Sequence, residues 1–145
     1  MSIKKQVYIA CVTGQYNCER IISAASCIAR DADAQLEIVS VLSGSCRGEE
    51  LAAIDYLYSV AKSVDSPMTV LFNDNPVLAV TEYVSRKKAA YVITGVPGEN
   101  NKGFISLLSA VLPKVRIISI PDVTTSDDDD YMVEDLFELA AGQRA

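Results

Sequence analysis

The chain has 145 residues, and half of them are hydrophobic, which suits a single domain with a sizeable core. Its 13 basic and 19 acidic residues give a net charge of −6, which argues against binding to nucleic acid or anionic membranes through clustered Lys and Arg. Because the chain has no histidine, it cannot form a Ser-His or Cys-His catalytic pair or a histidine metal site.

The amino terminus is basic and then apolar, which resembles a signal peptide only in outline. The apolar part is too short, and no small-residue cleavage site follows it. No apolar run approaches the roughly 20 residues that span a bilayer. We therefore interpret this segment as a first strand and expect a cytoplasmic protein with no membrane partner. Its four cysteines form no C-x-x-C pair and are expected to stay reduced.

In the first half of the chain, apolar runs alternate with segments of helical period. Residues 6–12 are almost continuously apolar, as in a strand that is buried on both faces. Residues 17–33 form a predicted amphipathic helix with Asn17 as its N-cap. A strand over 35–42 and a helix over 49–65 follow. The predicted inward faces are Ile21, Ile22, Ala25, Ile28 and Ala29 in the first helix, and Leu51, Ile54, Leu57, Tyr58, Ala61 and Val64 in the second.

The second half repeats this alternation. A strand over 67–72 leads into capping residues, and Pro76 is suited to the first turn of the third helix. A strand over 89–94, a loop over 95–103, a short helix and a strand over 114–120 complete the pattern. The predicted inward residues are Val77, Val80 and Val84 in the third helix, and Phe104, Leu107, Leu108 and Val111 in the fourth.

This β-α-β-α-β-α-β-α-β order predicts an α/β domain over 1–121, with a five-stranded parallel sheet between helices and right-handed crossovers. Such sheets bind ligands beyond the carboxyl ends of their strands, at the topological switch point. Residues 122–145 are predicted to be an acidic linker and a C-terminal amphipathic helix. The apolar stripe of that helix consists of Met132, Val133, Leu136, Phe137 and Ala140.

Three segments together resemble the universal stress protein family: VYIACVTGQYNCERII, FNDNP and YVITGVPG. The resemblance is nearest to the version of the domain found in potassium-sensing histidine kinases, and it covers roughly residues 5–121. It implies the adenine nucleotide alpha hydrolase-like fold, with strand order 3-2-1-4-5, and frequent dimerisation. It also implies that the ligand, if there is one, is ATP or another adenine nucleotide, including a cyclic dinucleotide.

The ATP-binding members of that family carry G-x2-G-x9-G-[ST] after the fourth strand. Residues 95–98 match the first part, but counting onward places Leu108 and Ser109 at the last pair, and Leu108 lies on an apolar stripe. A second alignment ends the loop at Gly103, which shortens it and loses the hydroxyl. These members also tend to have an aspartate after the first strand, near Thr13 in this chain. The departures argue against the family's form of ATP binding.

The predicted ligand cleft combines the turn after the first strand with the loop after the fourth. Its residues are Thr13, Gly14, Gln15, Gly95, Val96, Gly98, Lys102 and Gly103. Two interpretations of the loop stay open: its backbone N–H groups bind an anion, or its glycines simply permit positive φ. For the turn, a polar connection is favoured over ligand contacts by any one side chain. Arg20 is interpreted as a solvated helix residue and Cys18 as a small packed thiol.

The sequence thus predicts a non-catalytic module that binds a nucleotide-type ligand or transmits a signal, with no catalytic and no metal-binding residues. The alternative is a protein-interaction module without a ligand. In either case we expect a homodimer through the strand at 114–120 and the C-terminal helix. That strand is strongly β-forming, and an uncovered edge of this kind promotes association.

Overall fold

A computed structural model describes residues 5–95 and 102–121 of the chain. They form one parallel sheet in the order β3-β2-β1-β4-β5, flanked by four helices. The strands are β1 (Val7–Val12), β2 (Gln35–Leu42), β3 (Met68–Phe72), β4 (Tyr91–Gly95) and β5 (Arg116–Ile120). The helices are α1 (Glu19–Asp31), α2 (Gly48–Ser63), α3 (Pro76–Lys87) and α4 (Lys102–Val111). The predicted fold class and strand order are confirmed, while the predicted tail helix lies outside the described residues.

The helices divide between the two faces of the sheet. On one face, α1 and α2 pack over a core that contains Ala10 and Ile38. On the other face, α3 and α4 pack over a core that contains Ile9 and Val39. β1 lies at the centre, since Ala10 pairs with Ile38 on one side and with Ile93 on the other. This position explains why β1 is apolar along almost its whole length.

The start of α3 follows its sequence signals, whereas the start of α1 does not. The side chain of Asn75 accepts a hydrogen bond of 3.2 Å from the N–H of Leu78, and Pro76 occupies the first helical position. Ahead of α1, a short 3-10 turn spans Tyr16–Cys18, and Cys18 caps the helix without a side-chain bond. The predicted N-cap Asn17 was wrong, because this residue lies inside the 3-10 turn.

The inward face of α1 agrees with the prediction, but two other helices bury only part of their predicted inward faces. In α2 the buried residues are Ala53, Ile54, Leu57 and Ala61, which leaves Leu51 46% and Tyr58 47% exposed. In α4, Leu108 is fully buried, yet Leu107 and Val111 are more than half exposed. Apolar stripes wider than the contact with the sheet caused both errors: periodicity identifies a face but not its edges.

A buried carboxylate joins β2 to α3. Glu37 is only 6% exposed, and its Oε1 accepts a hydrogen bond of 2.7 Å from the hydroxyl of Tyr83. The Thr69 hydroxyl lies 3.2 Å from the same Tyr83 oxygen and must donate to it, since Tyr83 has given its only proton to Glu37. The Lys87 ammonium lies 3.5 Å from Glu37. Burial, followed by the hydrogen bond to Glu37, raises the pKa of Tyr83.

We expect Tyr83→Phe to lower the free energy of unfolding by about 1.5–3 kcal/mol, because it removes a hydrogen bond to a buried carboxylate. Urea denaturation measures this loss. The matched control is Tyr58→Phe on α2, which removes the hydroxyl of an exposed ring and should leave the midpoint unchanged. Equal midpoints for the two variants would mean that the Tyr83–Glu37 bond does not contribute to stability.

Candidate functional site

The sheet has its topological switch point between β1 and β4. The register that pairs Ala10 with Ile93 brings Val12 and Gly95, the last residues of the two strands, to the same edge. From there the chain continues into α1 on one face of the sheet and into α4 on the other. Because α1 and α4 lie on opposite faces of the sheet, this edge is the switch point at which α/β proteins bind ligands, in the crevice beyond the carboxyl ends of the strands.

The turn after β1 forms the first wall of this crevice, and its polar groups are largely bonded to one another. The backbone N–H of Gln15 donates to the Thr13 carbonyl over 2.8 Å, and that of Cys18 donates to the Gln15 carbonyl over 3.1 Å. The Thr13 hydroxyl lies 3.4 Å from the Cys18 thiol, and Cys18 is buried. The Gln15 side chain is exposed and makes no capping bond to the 3-10 turn. Gln15 is therefore an exposed polar side chain of this turn without a capping bond, and Thr13 is exposed as well.

Gly14 is explained by packing. A Cβ at this position would lie 2.9 Å from the Cβ of Glu50, closer than real contacts allow, so the first turn of α2 rests directly on the backbone here. Its φ is not positive, so the close approach and not an unusual backbone conformation requires glycine. This side of the turn is filled by α2, and a ligand must approach from the side of β4.

The described glycines of the second wall also have negative φ, so the interpretation based on positive φ does not hold for Gly95 or Gly103. A Cβ at Gly95 would lie 3.0 Å from Cδ1 of Ile21, so α1 packs closely against Gly95. Gly103, near the start of α4, is exposed and has no atom within 4 Å of a Cβ position. Val96 and Gly98 lie outside the described residues.

The helix starts differ in how far their N–H groups and positive dipole ends are already compensated. Glu19 stands in the first turn of α1, where it accepts a 2.6 Å bond from the Tyr56 hydroxyl, and Glu49 and Glu50 stand in the first turn of α2. In α3 the Asn75 side chain already accepts a hydrogen bond from one N–H of the first turn, and Pro76 has no N–H to donate. The first turn of α4 contains no acidic residue and begins with Lys102. An anion at this edge is therefore favoured at α4 and disfavoured at α1 and α2.

Arg20 lies at this edge, and its interpretation as a solvated helix residue was wrong. Its Nη1 donates a hydrogen bond to the Pro121 carbonyl just beyond β5, so the half-buried guanidinium spans from α1 toward the end of β5. The partners are 101 residues apart in the chain, and no local pattern signals such a contact. The arrangement adds a positive charge near the carboxyl ends of the strands.

The described parts of the chain show neither a candidate metal cluster nor a candidate membrane span. Across 5–95 and 102–121, no cluster of three or more Cys, Asp or Glu side chains has an arrangement suited to a metal ion. None of the helices in these two ranges has the length and apolar character that crossing a membrane requires.

Comparison with known proteins gives a likeness in structure. No family model and no curated protein matches the chain. Universal stress protein UspA from Lactobacillus plantarum superposes with a TM-score of 0.66, covering 82% of this chain and 99% of its own at 14% identity. The chain has the fold of universal stress proteins. Their structures are similar to it around the same five-stranded sheet, whereas the nearer resemblance to potassium-sensing histidine kinases stays a prediction.

Two further structures of this fold contain nucleotides. A universal stress protein in complex with cAMP has a TM-score of 0.59 at 18% identity, covering 82% of this chain and 98% of its own. The universal stress protein from Archaeoglobus fulgidus in complex with dAMP has a TM-score of 0.53 at 16% identity, covering 83% and 98%. At these identities the likeness establishes the fold alone.

We expect Gly14→Ala to lower the free energy of unfolding by about 1–3 kcal/mol, the usual cost of overpacking, because its methyl group overlaps Glu50. Gly44→Ala is the matched control, since a Cβ at Gly44 meets nothing within 4 Å. Thermal melting of both variants compares them directly. A Gly14→Ala variant as stable as the control would show that α2 does not rest on this turn.

Proposed function

We propose that the chain is a universal-stress-type module that binds an adenine nucleotide at the carboxyl ends of β1 and β4. The observation that carries the proposal is the start of α4 at the switch point: it has no acidic residue in its first turn, begins with Lys102 and has open space beside Gly103. Proteins of the same fold have been solved with cAMP and dAMP, which supports an adenine nucleotide as the ligand class.

In this proposal the phosphate lies against the N–H groups near Gly103, where the helix dipole and Lys102 favour negative charge. The rest of the nucleotide lies toward Gly95 and the turn of Thr13–Gln15, with the exposed Gln15 side chain as a hydrogen-bonding group. One helix start and one lysine suit a single phosphate better than the three of ATP, and the departures from G-x2-G-x9-G-[ST] point the same way. We rank a mononucleotide above ATP and above a cyclic dinucleotide.

We propose that the module binds its ligand without catalysing a reaction on it. The chain contains no histidine that could serve as a general base. The thiol of Cys11 is buried, and this burial raises its pKa to about 12, which leaves it protonated and unreactive at neutral pH. After incubation with the protein, the nucleotide should therefore have an unchanged mass when measured by mass spectrometry.

Thermal melting with added cAMP, dAMP, ATP and a cyclic dinucleotide tests the ligand class. A ligand that binds only the folded state adds about 2.7 kcal/mol of stability at a concentration one hundred times its dissociation constant. We expect the melting temperature to rise most with cAMP or dAMP. If none of the four nucleotides at millimolar concentration shifts the melting temperature, the nucleotide proposal is refuted.

The position of the phosphate is tested by Gly103→Asp, which places a negative charge in the first turn of α4. We expect the affinity for dAMP to fall about tenfold or more, equivalent to roughly 1.4 kcal/mol of lost or repulsive interaction. Gly48→Asp is the matched control, because it adds the same charge to the first turn of α2, also in open space. Isothermal titration calorimetry compares the two, and an equal loss in both would place the phosphate elsewhere.

A second candidate function is a protein-interaction module that binds no ligand and forms a homodimer through the strand at 114–120 and the C-terminal helix. One observation favours it: β5 is at the end of the sheet and pairs with β4 alone among the described strands. The unpaired backbone N–H and C=O groups of such an edge strand readily pair with another strand. A light-scattering mass of two chains, together with unchanged melting in all four nucleotides, would select this candidate over the first.

A further inference from the structure

An uncovered groove of about 580 Å³ runs between α4 and β5, away from the nucleotide crevice. Ile105 of α4, Leu112 just after α4 and Ile117 of β5 give it an apolar lining, while Lys114 and Arg116 add positive charge at the amino end of β5. The groove thus combines apolar surface with basic charge.

The charges of the chain are segregated around this groove. Residues 101–121 contain three basic residues and no acidic one. Residues 122–145 contain eight of the chain's 19 acidic residues and one of its 13 basic residues, a net charge of −7, which leaves +1 for residues 1–121. The net negative charge of the protein therefore comes from its tail. The basic residues of the groove lie in the segment that directly precedes this tail.

The tail also has the apolar pattern and the length to fit. Met132, Leu136 and Ala140 repeat at intervals of four residues, as do Val133 and Phe137, which predicts one apolar helical stripe. A helix over 131–141 would be about 16 Å long. The five residues of β5 extend over about 17 Å, so the predicted helix matches the strand in length.

We propose that this groove takes the tail of a second copy of the chain, with the stripe of 131–141 on the apolar lining and the preceding aspartates beside Lys114 and Arg116. The proposal rests on the homodimer of the second candidate function and identifies the surface and segment that hold it together. It does not depend on a nucleotide, because the basic end of the groove is at the opposite end of β5 from the crevice.

The direction of the chain favours a second copy over the chain's own tail. Each tail leaves from the carboxyl end of its own β5, whereas Lys114 precedes the amino end. If two β5 strands pair in antiparallel fashion about Ile118, the midpoint of the strand, Arg116 lies beside Ile120 and Lys114 beside Asp122 of the second copy. The acidic tail then begins next to the basic end of the neighbouring groove.

The apolar half of the contact is tested in the full chain by Leu136→Asp combined with Phe137→Asp. We expect the dissociation constant of the dimer to rise about tenfold or more, because charges replace the centre of the stripe. Light scattering at low and high protein concentration measures it, and circular dichroism confirms that the fold is kept. Phe72→Asp is the matched control: this residue is 63% exposed on β3, at the other edge of the sheet, and the variant should keep the mass of the dimer.

The charged half is tested by Lys114→Glu combined with Arg116→Glu, which should weaken the dimer, most strongly at low salt. The same charge change through Arg30→Glu and Lys62→Glu, on exposed positions of α1 and α2, should not. Adding Asp127→Lys and Asp128→Lys to the groove variant should restore the dimer, which a merely misfolded groove would not allow.

Two outcomes would overturn the inference. If the full chain is a monomer at every concentration, both the tail contact and the homodimer fail. If the full chain is a dimer and the tail and groove variants keep its mass, the homodimer stands and only the tail contact is wrong. Neither result bears on the nucleotide proposal, which melting tests separately.

Discussion

The structure depends on the burial of β1 on both of its faces. Ile9 and Ala10 are neighbours that point to opposite faces of the sheet, and both are completely buried. Covering both faces requires helices on each, and the chain supplies α1 and α2 to one face before α3 crosses to the other. Because of that crossing, β4 lies beside β1 and not beside β3. The crevice between the ends of β1 and β4 is therefore a consequence of how the central strand is covered.

Packing then decides which parts of the crevice stay open. The first turn of α2 presses on Gly14, and Ile21 of α1 lies over Gly95, so both glycines serve the approach of a helix. The acidic residues at the starts of α1 and α2 neutralise the positive ends of those helices and so disfavour anions there. What remains is the start of α4, where Gly103 faces open space. The candidate site is thus defined by the one helix start that is neither covered nor neutralised among those the structure describes.

The sheet also separates two kinds of surface. Ligand chemistry belongs to the carboxyl ends of the strands, where loops and helix starts converge. The edge of β5, the basic groove and the exposed side of α4 belong to a different part of the molecule and offer apolar area with positive charge. In the proposed dimer, the acidic tail with its apolar stripe binds this surface and leaves the crevice free. The proposed nucleotide binding and the proposed association therefore involve separate residues and can be tested independently by substitution.

Much of the architecture was available in the sequence because it depends on local patterns. The alternation of apolar runs with helical periods predicts the order of strands and helices and their parallel pairing, and the resemblance of three segments to a known family supplies the strand order. The inward face of α1 and the Asn75–Pro76 start of α3 follow from periodicity and capping, which involve residues within one or two turns. The position of the candidate crevice followed from the same alternation, since parallel sheets bind ligands at their carboxyl ends.

Tertiary structure alone decided the contacts between residues that are distant in sequence. Nothing local indicates that Glu37 would be buried against Tyr83, that Arg20 would reach Pro121, or that Gly14 would meet Glu50. Nor does periodicity show that Leu107 would face outward while Leu108 is buried. Each outcome depends on where one element comes to rest on another, and a residue's own neighbours in the chain carry no record of that position.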